Sequence, residues 1–151
     1  SECLVGSEMC IRDRYCTGCN TCQKSSKSSC VLKDDMQNIY ESVEKADVLV
    51  FATPVYVFNM TGQLKTFLDR LHAVDYHTLL NKKIVLLTTF GDSNELNAGV
   101  PNIAQSIAML SQYLGMKFIQ NFNVSTYEVE VSKNEQSKKA AYILGTEIIK
   151  Y

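Results

Sequence analysis

Apolar positions along the chain alternate between the rhythm of helices and the rhythm of strands. Met36, Ile39, Tyr40, Val43 and Ala46 keep close to the spacing of one helix face, behind an Asp34-Asp35 pair suited to capping. Val48 to Thr53 is a continuous β-prone run, as expected of a strand buried on both faces, and Pro54 stops it. Thr61 is placed to cap a helix that buries Leu64, Phe67, Leu68 and Leu71, with Lys65 and Asp69 paired on its surface. Ile84 to Thr89 predicts a second buried strand, ended by Gly91-Asp92. Pro101 opens a helix carrying Ile103, Ile107, Leu110 and Leu114, with Gly115 as its C-cap. In a third strand, Phe118 to Val124, Phe118, Phe122 and Val124 share one face and Asn121 and Asn123 the other. That half-polar pattern suits an edge. Ser132-Lys-Asn-Glu135 has capping-box spacing, and the helix after it directs Ala140, Ala141, Leu144 and Ile148 inward.

The order helix–strand–helix–strand–helix–strand–helix implies an α/β fold with a parallel sheet covered on both faces. The 151 residues fit one domain, and 46% hydrophobic against 21% charged residues describes a globular chain. No internal repeat, low-complexity tract or linker interrupts it, and Ser25 to Ser29 reads as a short polar loop. The net charge of −1 argues against a nucleic-acid binder that relies on bulk charge, and the longest apolar stretch, Val48 to Phe58, is too short to span a bilayer.

Residues 1–14 stand apart. They show no clear period and lack the layout of a secretory signal. The string GSEMCIRDR resembles a translated sequencing adapter, so 1–14 is read as a non-native segment and 15–151 as the domain proper. Cys3 and Cys10 fall in the segment set aside, which leaves Cys16, Cys19, Cys22 and Cys30.

In open parallel sheets ligands collect outside the C-terminal strand ends. Here those ends are the loops Thr53 to Gly62 and Thr88 to Ser93. Tyr56, Phe58 and Met60 can flank a planar ring, Asn59 and Thr61 can hydrogen-bond its polar edge, and Gly91 permits close backbone approach. The pattern suits a flat, mostly apolar ligand better than a phosphate alone; the same aromatics also suit a cap on the core.

The stretch ADVLVFATPVYVFNMTGQLKTFLDRL, Ala46 to Leu71, resembles the core motif of flavodoxin-like, NADPH-dependent FMN reductases: a strand, Pro-Val-Tyr, a short loop, then Gln-Leu-Lys and Asp-Arg on the next helix. Lys-Lys-Ile-Val-Leu-Leu-Thr-Thr-Phe-Gly-Asp resembles the following strand and loop, and the similarity runs from about Cys16 to the end of the chain. The resemblance implies a doubly wound, three-layer α/β/α domain whose two loops cradle the isoalloxazine ring of FMN. Position by position it implicates Pro54, Val55, Tyr56, Asn59, Met60 and Thr61, then Thr89, Phe90 and Gly91. The implied reaction takes hydride from NAD(P)H to flavin N5 and passes electrons on to a small-molecule or protein acceptor, with the cofactor carrying the chemistry. No catalytic side chain is needed, and His72 and His77 are read as solvated or helix-end groups.

The family pattern begins with a strand, a phosphate loop, a helix and a second strand, and the sequence carries no match to these. The first strand is central in a 2-1-3-4-5 sheet. A chain that lacks it is expected to bind FMN poorly and to expose an unpaired edge along Val48 to Thr53. The resemblance also implies a homodimer or homotetramer.

Cys16-Thr-Gly-Cys19-Asn-Thr-Cys22, with Cys30 beyond it, is the strongest ligand spacing in the sequence and forms a cysteine-motif loop over 15–33. It matches the opening run of ferredoxin-type clusters, with structural zinc second, since zinc usually takes two separated pairs. Free thiols and a disulfide complete the alternatives. The set resembles the compact motif of iron–sulfur flavoproteins, a branch of the same family with a [4Fe–4S] cluster beside FMN. Two readings compete with an NAD(P)H-dependent flavin reductase: an iron–sulfur flavoprotein that only carries electrons between proteins, and a non-redox flavodoxin-like domain with a zinc site. No Arg or Lys cluster is placed for a ribose phosphate, so NADH and NADPH are both admitted, and quinones, azo compounds, nitroaromatics, free flavin and iron all fit as acceptors. A cysteine-rich flavoprotein suits a reducing cytoplasm.

Overall fold

The structure, a computed structural model, describes residues 14–24 and 30–148. The adapter-like segment, apart from Arg14, and the Ser25 to Ser29 loop lie outside the described residues. Strands β1 (Val48–Pro54), β2 (Lys83–Phe90) and β3 (Lys117–Ser125) form one parallel sheet in the order β1-β2-β3. Parallel neighbours require crossovers. Helices α3 (Gly62–Arg70) and α4 (Tyr76–Leu79) make the first, α5 (Glu95–Ala98) and α6 (Val100–Leu114) the second. Helices α1 (Thr21–Lys24) and α2 (Met36–Lys45) precede β1, and α7 (Glu135–Ile148) follows β3.

One face of the sheet carries the core. Leu49 and Phe51 of β1 and Ile84 and Leu86 of β2 pack with Met36, Ile39, Tyr40 and Val43 of α2, with Leu71, and with Ile103, Ile107 and Leu114 of α6. The edge of the Phe67 ring meets Phe51, centroids 5.9 Å apart, which fixes α3 on the same face. Two of the caps expected from the sequence are in place. Thr61 accepts from Leu64 N–H at the start of α3, and Gly115 closes α6 in the left-handed conformation, φ 68°. Lys65 and Asp69 pair on the surface of α3. No helix among the described residues is long and apolar enough to cross a membrane.

Several expectations are corrected. β1 is buried on alternate residues, not on both faces: Leu49, Phe51 and Thr53 are buried, whereas Val48, Val50 and Ala52 are half-buried. The parallel α/β sheet itself is as expected, and β1, paired among the described residues with β2 alone, keeps the unpaired edge expected along Val48 to Thr53. In β3 a register shift between Ile84 and Val85 skips Ile119, so Phe118 falls opposite Ile84, on the face that also carries Asn121 and Asn123, and joins the core. In α3 the fully buried residues are Thr66 and Arg70, while Leu64, Phe67 and Leu68 are half-buried. Asp35 makes no capping bond to α2. Helix α7 starts later than the capping-box spacing implied. Val131–Lys133 is a 3-10 turn, and Asn134 Oδ1 accepts from Ser137 N–H at 3.0 Å, so Asn134 is the cap. Along α7, Ala140, Leu144 and Ile148 form a half-buried stripe, but Ala141 is exposed and no residue is fully buried.

Candidate functional site

At the last step of the β1–β2 register Pro54 lies opposite Thr89, and Val55 N–H donates to the Thr89 carbonyl at 2.8 Å. The two loops singled out from the sequence therefore leave the sheet side by side. The end of β3 joins them. Thr126 N–H and Oγ1 donate to the Phe90 carbonyl at 2.8 and 3.1 Å, and Ser125 Oγ donates to the Asp92 carbonyl at 2.6 Å.

The first loop is a strained projection. Tyr56 and Asn59 exchange backbone hydrogen bonds of 2.8 and 3.1 Å around Val57 and Phe58. Both central residues are left-handed, φ 49° and 61°. This is type I′ geometry, normally given to Asn-Gly or Gly-Gly. Each such L-residue costs about 1–2 kcal/mol, and a β-branched one is an outlier. Burial does not offset the cost: Tyr56, Val57 and Phe58 are 63%, 90% and 61% exposed. Strain of this kind clusters where backbone shapes a ligand site. Support comes from the start of α6. Asn102 Nδ2 donates to the Phe58 carbonyl at 3.1 Å. Gly99 sits so close that a Cβ there would stand 2.6 Å from Phe58 Cα, Cβ and O.

The rest of the loop bonds to itself. Thr61 N–H donates to Thr53 Oγ1 at 3.1 Å, Thr61 Oγ1 is occupied in capping α3, and Asn59 Oδ1 accepts from Met60 N–H at 2.8 Å. Pro54, Val55, Met60, Thr61 and Thr89 are half-buried, and Tyr56 and Asn59 are exposed. Phe90 is only 4% exposed, so its ring belongs to the core and its backbone alone borders the loop. Gly91 is exposed, and among the described residues none but its chain neighbours comes within 4 Å of a Cβ built there. The turn conformation, Gly99 and Asn102 escaped the sequence reading, because the link joins residues 44 apart and leaves no periodic signal. The exposed tyrosine, valine and phenylalanine beside the strand ends suit one face of a flat ring, so the chain's own groups fit the ring end of FMN.

The cysteine segment is attached elsewhere. Arg70 Nη1 and Nη2 donate to the two carboxylate oxygens of Asp34 at 2.7 and 2.9 Å, with side chains 1% and 5% exposed. Nη1 also donates to the Arg14 carbonyl at 2.7 Å, and Arg14 N–H donates to Asp34 at 3.1 Å. Both ends of the segment thus meet on one guanidinium. Burial pushes the Asp34 carboxyl up, but the Arg70 and Arg14 hydrogen bonds outweigh it and hold it below its ordinary range. Burial pushes the Tyr40 hydroxyl up to about 12, although it accepts from Arg70 Nε at 3.3 Å.

Between those ends the segment docks on His72. Gln23 Nε2 donates to the His72 carbonyl at 2.5 Å, and Cys22 Sγ lies 3.8 Å from the same oxygen. The His72 ring bonds through Nδ1 to Tyr76 OH at 2.7 Å and through Nε2 to Asn20 Oδ1 at 3.3 Å. His72 is therefore a docking point instead of a solvated end group, whereas His77 is exposed. Cys16 and Cys19 are exposed, Cys22 and Cys30 are half-buried, and all four thiols are free. The Thr21 hydroxyl, 3.4 Å from Cys19 Sγ, leads the groups that lower that thiol to about 7, followed by the Thr21 backbone and the Thr17 hydroxyl. The donors suit a soft metal. As placed, however, they form no coordination sphere, since among the described residues no three His, Cys, Asp or Glu side chains gather to hold a metal ion.

The parallel sheet, its helical crossovers and the loops at its C-terminal end define a flavodoxin-like α/β protein. The Trp repressor binding protein of Bacillus subtilis superposes with a TM-score of 0.61 at 27% identity, over 73% of this chain and 70% of that one. General stress protein 14 of Treponema denticola, solved in complex with FMN, superposes at 0.57 and 21% identity over 75% and 71%, a likeness of fold alone. The sequence model of the NADPH-dependent FMN reductase family matches residues 7–129, and the chain belongs to that family. An iron-sulfur flavoprotein of Archaeoglobus fulgidus is 41% identical over 86 residues, 57% of this chain and 36% of that protein. An iron-sulfur flavoprotein of Clostridioides difficile is 28% identical over 138 residues, 89% of this chain and 60% of its own length. The chain thus spans less than two thirds of either curated relative.

Proposed function

We propose that this chain is the ring-binding part of an FMN-dependent oxidoreductase that draws on NAD(P)H and reduces a small-molecule or protein acceptor. The observation that carries the reading is the strained, exposed Tyr56–Asn59 turn set beside Thr89 at the C-terminal end of the sheet. Bound FMN supplies hydride acceptance and electron release. The chain's own groups bind and orient the ring. Tyr56 and Phe58 offer apolar surface, Asn59 and the backbone of Thr89 to Gly91 border its polar edge, and Thr53 with Thr61 holds the loop onto α3. The reaction asks for no side-chain acid or base here.

Family membership supports both cofactor and co-substrate. The test is the full-length gene product. It is expected to quench FMN fluorescence on titration and to oxidise NAD(P)H with an added acceptor, and Asn59→Ala is expected to weaken flavin retention or shift its potential. A full-length protein that stays colourless, ignores added FMN and leaves NAD(P)H untouched refutes the reading.

A second reading is favoured by the cysteine spacing and by the relatives named as iron-sulfur flavoproteins: Cys16, Cys19, Cys22 and Cys30 close around a [4Fe–4S] cluster. Metal-binding loops commonly take their final form only with the metal. Anaerobic reconstitution followed by iron analysis tests it. Cys19→Ser should abolish iron and spare flavin, and unchanged iron content eliminates the proposal. The same reading places the protein in the cytoplasm as a homodimer or homotetramer. Helix α6, whose exposed Gln105, Met109, Gln112 and Tyr113 carry no charge, supports self-association, and the mass in solution tests it.

A further inference from the structure

We propose that Gly99 and Asn102 are positioning residues that hold the Val57–Phe58 turn in its left-handed form, and that this brace sets the shape of the wall offered to a flat ring. The second half of the proposal rests on the FMN reading; the first half does not.

Neither residue preference nor side-chain burial accounts for this conformation. Valine and phenylalanine oppose it at both central positions. Their side chains are exposed, so packing does not select it. Two features of the α6 start do favour it. The Asn102 amide donates to the Phe58 carbonyl of the turn at 3.1 Å. Gly99 leaves a seat that any side chain would fill, with a Cβ 2.6 Å from Phe58 backbone atoms. Gly99 is itself left-handed, φ 87°, between α5 and α6, so a single glycine both redirects the chain and admits the turn. α6 is anchored in the core through Val100, Ile103 and Ile107, which gives the brace a rigid base.

Removing the donor while keeping the shape, Asn102→Asp, should loosen the turn alone. In the 151-residue chain the Tyr56 and Asn59 amides, whose bonds close the turn, should exchange with solvent about tenfold faster, while the Ile84 and Leu86 amides of β2 keep their rates. Asn102→Ala should act in the same direction, and Gly99→Ala at least as strongly. A rescue separates positioning from general stability. With Val57→Asn and Phe58→Gly, the pair that type I′ turns prefer, the turn holds itself. In that background the effect of Asn102→Asp should fall below twofold. Unchanged exchange in Asn102→Asp overturns the brace, as does an equal acceleration of the β2 amides or an effect that persists undiminished in the Asn-Gly background.

The second half is read in the full-length protein as FMN affinity by fluorescence quenching. Asn102→Asp should raise Kd about five- to tenfold. If the wild type binds and Asn102→Asp binds equally tightly, the wall role falls. If the wild type itself does not bind, the FMN reading falls, and the exchange data still decide the brace.

Discussion

Substituting Asp34 by Asn tests the least sequence-evident interaction in the fold. The Asp34 carboxylate and the Arg70 guanidinium form a two-pronged pair with both side chains almost wholly buried. The amide keeps the shape of the carboxylate but turns an NH2 toward guanidinium donors and leaves a buried positive charge without its partner. Breaking such a pair from one side costs about 3–5 kcal/mol. Urea unfolding followed by circular dichroism reads the loss directly. With a slope of about 1–3 kcal/mol per molar urea, the midpoint should fall by more than about 1 M. Removing both charges together, Asp34→Leu with Arg70→Met, should cost less than Asp34→Asn alone, because no unpaired ion remains. The pH dependence has a definite sign. The folded-state value of Asp34 lies below its ordinary 3.8, so the pair stabilises above that value, and the stabilisation is lost as pH falls through the folded value. Wild type should therefore lose stability on acidification below about pH 4 more steeply than Asp34→Asn. An Asp34→Asn chain within about 1 kcal/mol of wild type, with a parallel pH curve, would refute the reasoning.

Three further outcomes follow from local geometry. Asn134→Ala should destabilise the chain by about 1 kcal/mol in the same unfolding assay, while Ser132→Ala stays within about 0.5 kcal/mol; the reverse order would return the cap of α7 to Ser132. Gly115→Ala should cost about 1–2 kcal/mol, since φ is 68° and a Cβ would stand 2.6 Å from Leu80 Cδ2, and a neutral result would contradict the left-handed cap. In a pulse of iodoacetamide on the reduced, metal-free chain, peptide mapping should find Cys16 and Cys19 alkylated before Cys22 and Cys30, and equal rates would place all four at the same exposure.

Periodicity located every long element because each depends on its own side chains. The α2 stripe from Met36 to Val43, the β2 run and the α6 face around Ile103 and Ile107 all bury as the spacing implied. What periodicity misses is pairing between elements. The skipped residue at Ile119 moves Phe118 to the other face, a property of the β2–β3 register that the strand alone does not carry. Arg70 entered the sequence reading only as part of the Asp-Arg pair on α3, yet it is among the most buried side chains because Asp34, Tyr40 and the Arg14 carbonyl satisfy its donors. At the candidate site the strand-end loops were legible from the break at Pro54 and from family resemblance. The left-handed Val57-Phe58 pair was not, because both residues argue locally for an extended chain.

The two candidate sites hang from one helix, and among the described residues different side chains brace each of them. α3 is nine residues, about 13 Å at 1.5 Å per residue. Its first cap, Thr61, ties the ring loop to β1 through Thr53 Oγ1, and its last residue, Arg70, gathers both ends of the cysteine segment. Gly99 and Asn102 brace the turn from α6, and His72, itself held by Tyr76, docks the segment. Each site is therefore shaped by scaffold residues distant from it in sequence. On the proposed reading, a rearrangement of the cysteine segment around a metal is expected to leave the loop beside Thr89 unaltered, because Arg70 and His72 hold the segment while Gly99 and Asn102 hold the loop.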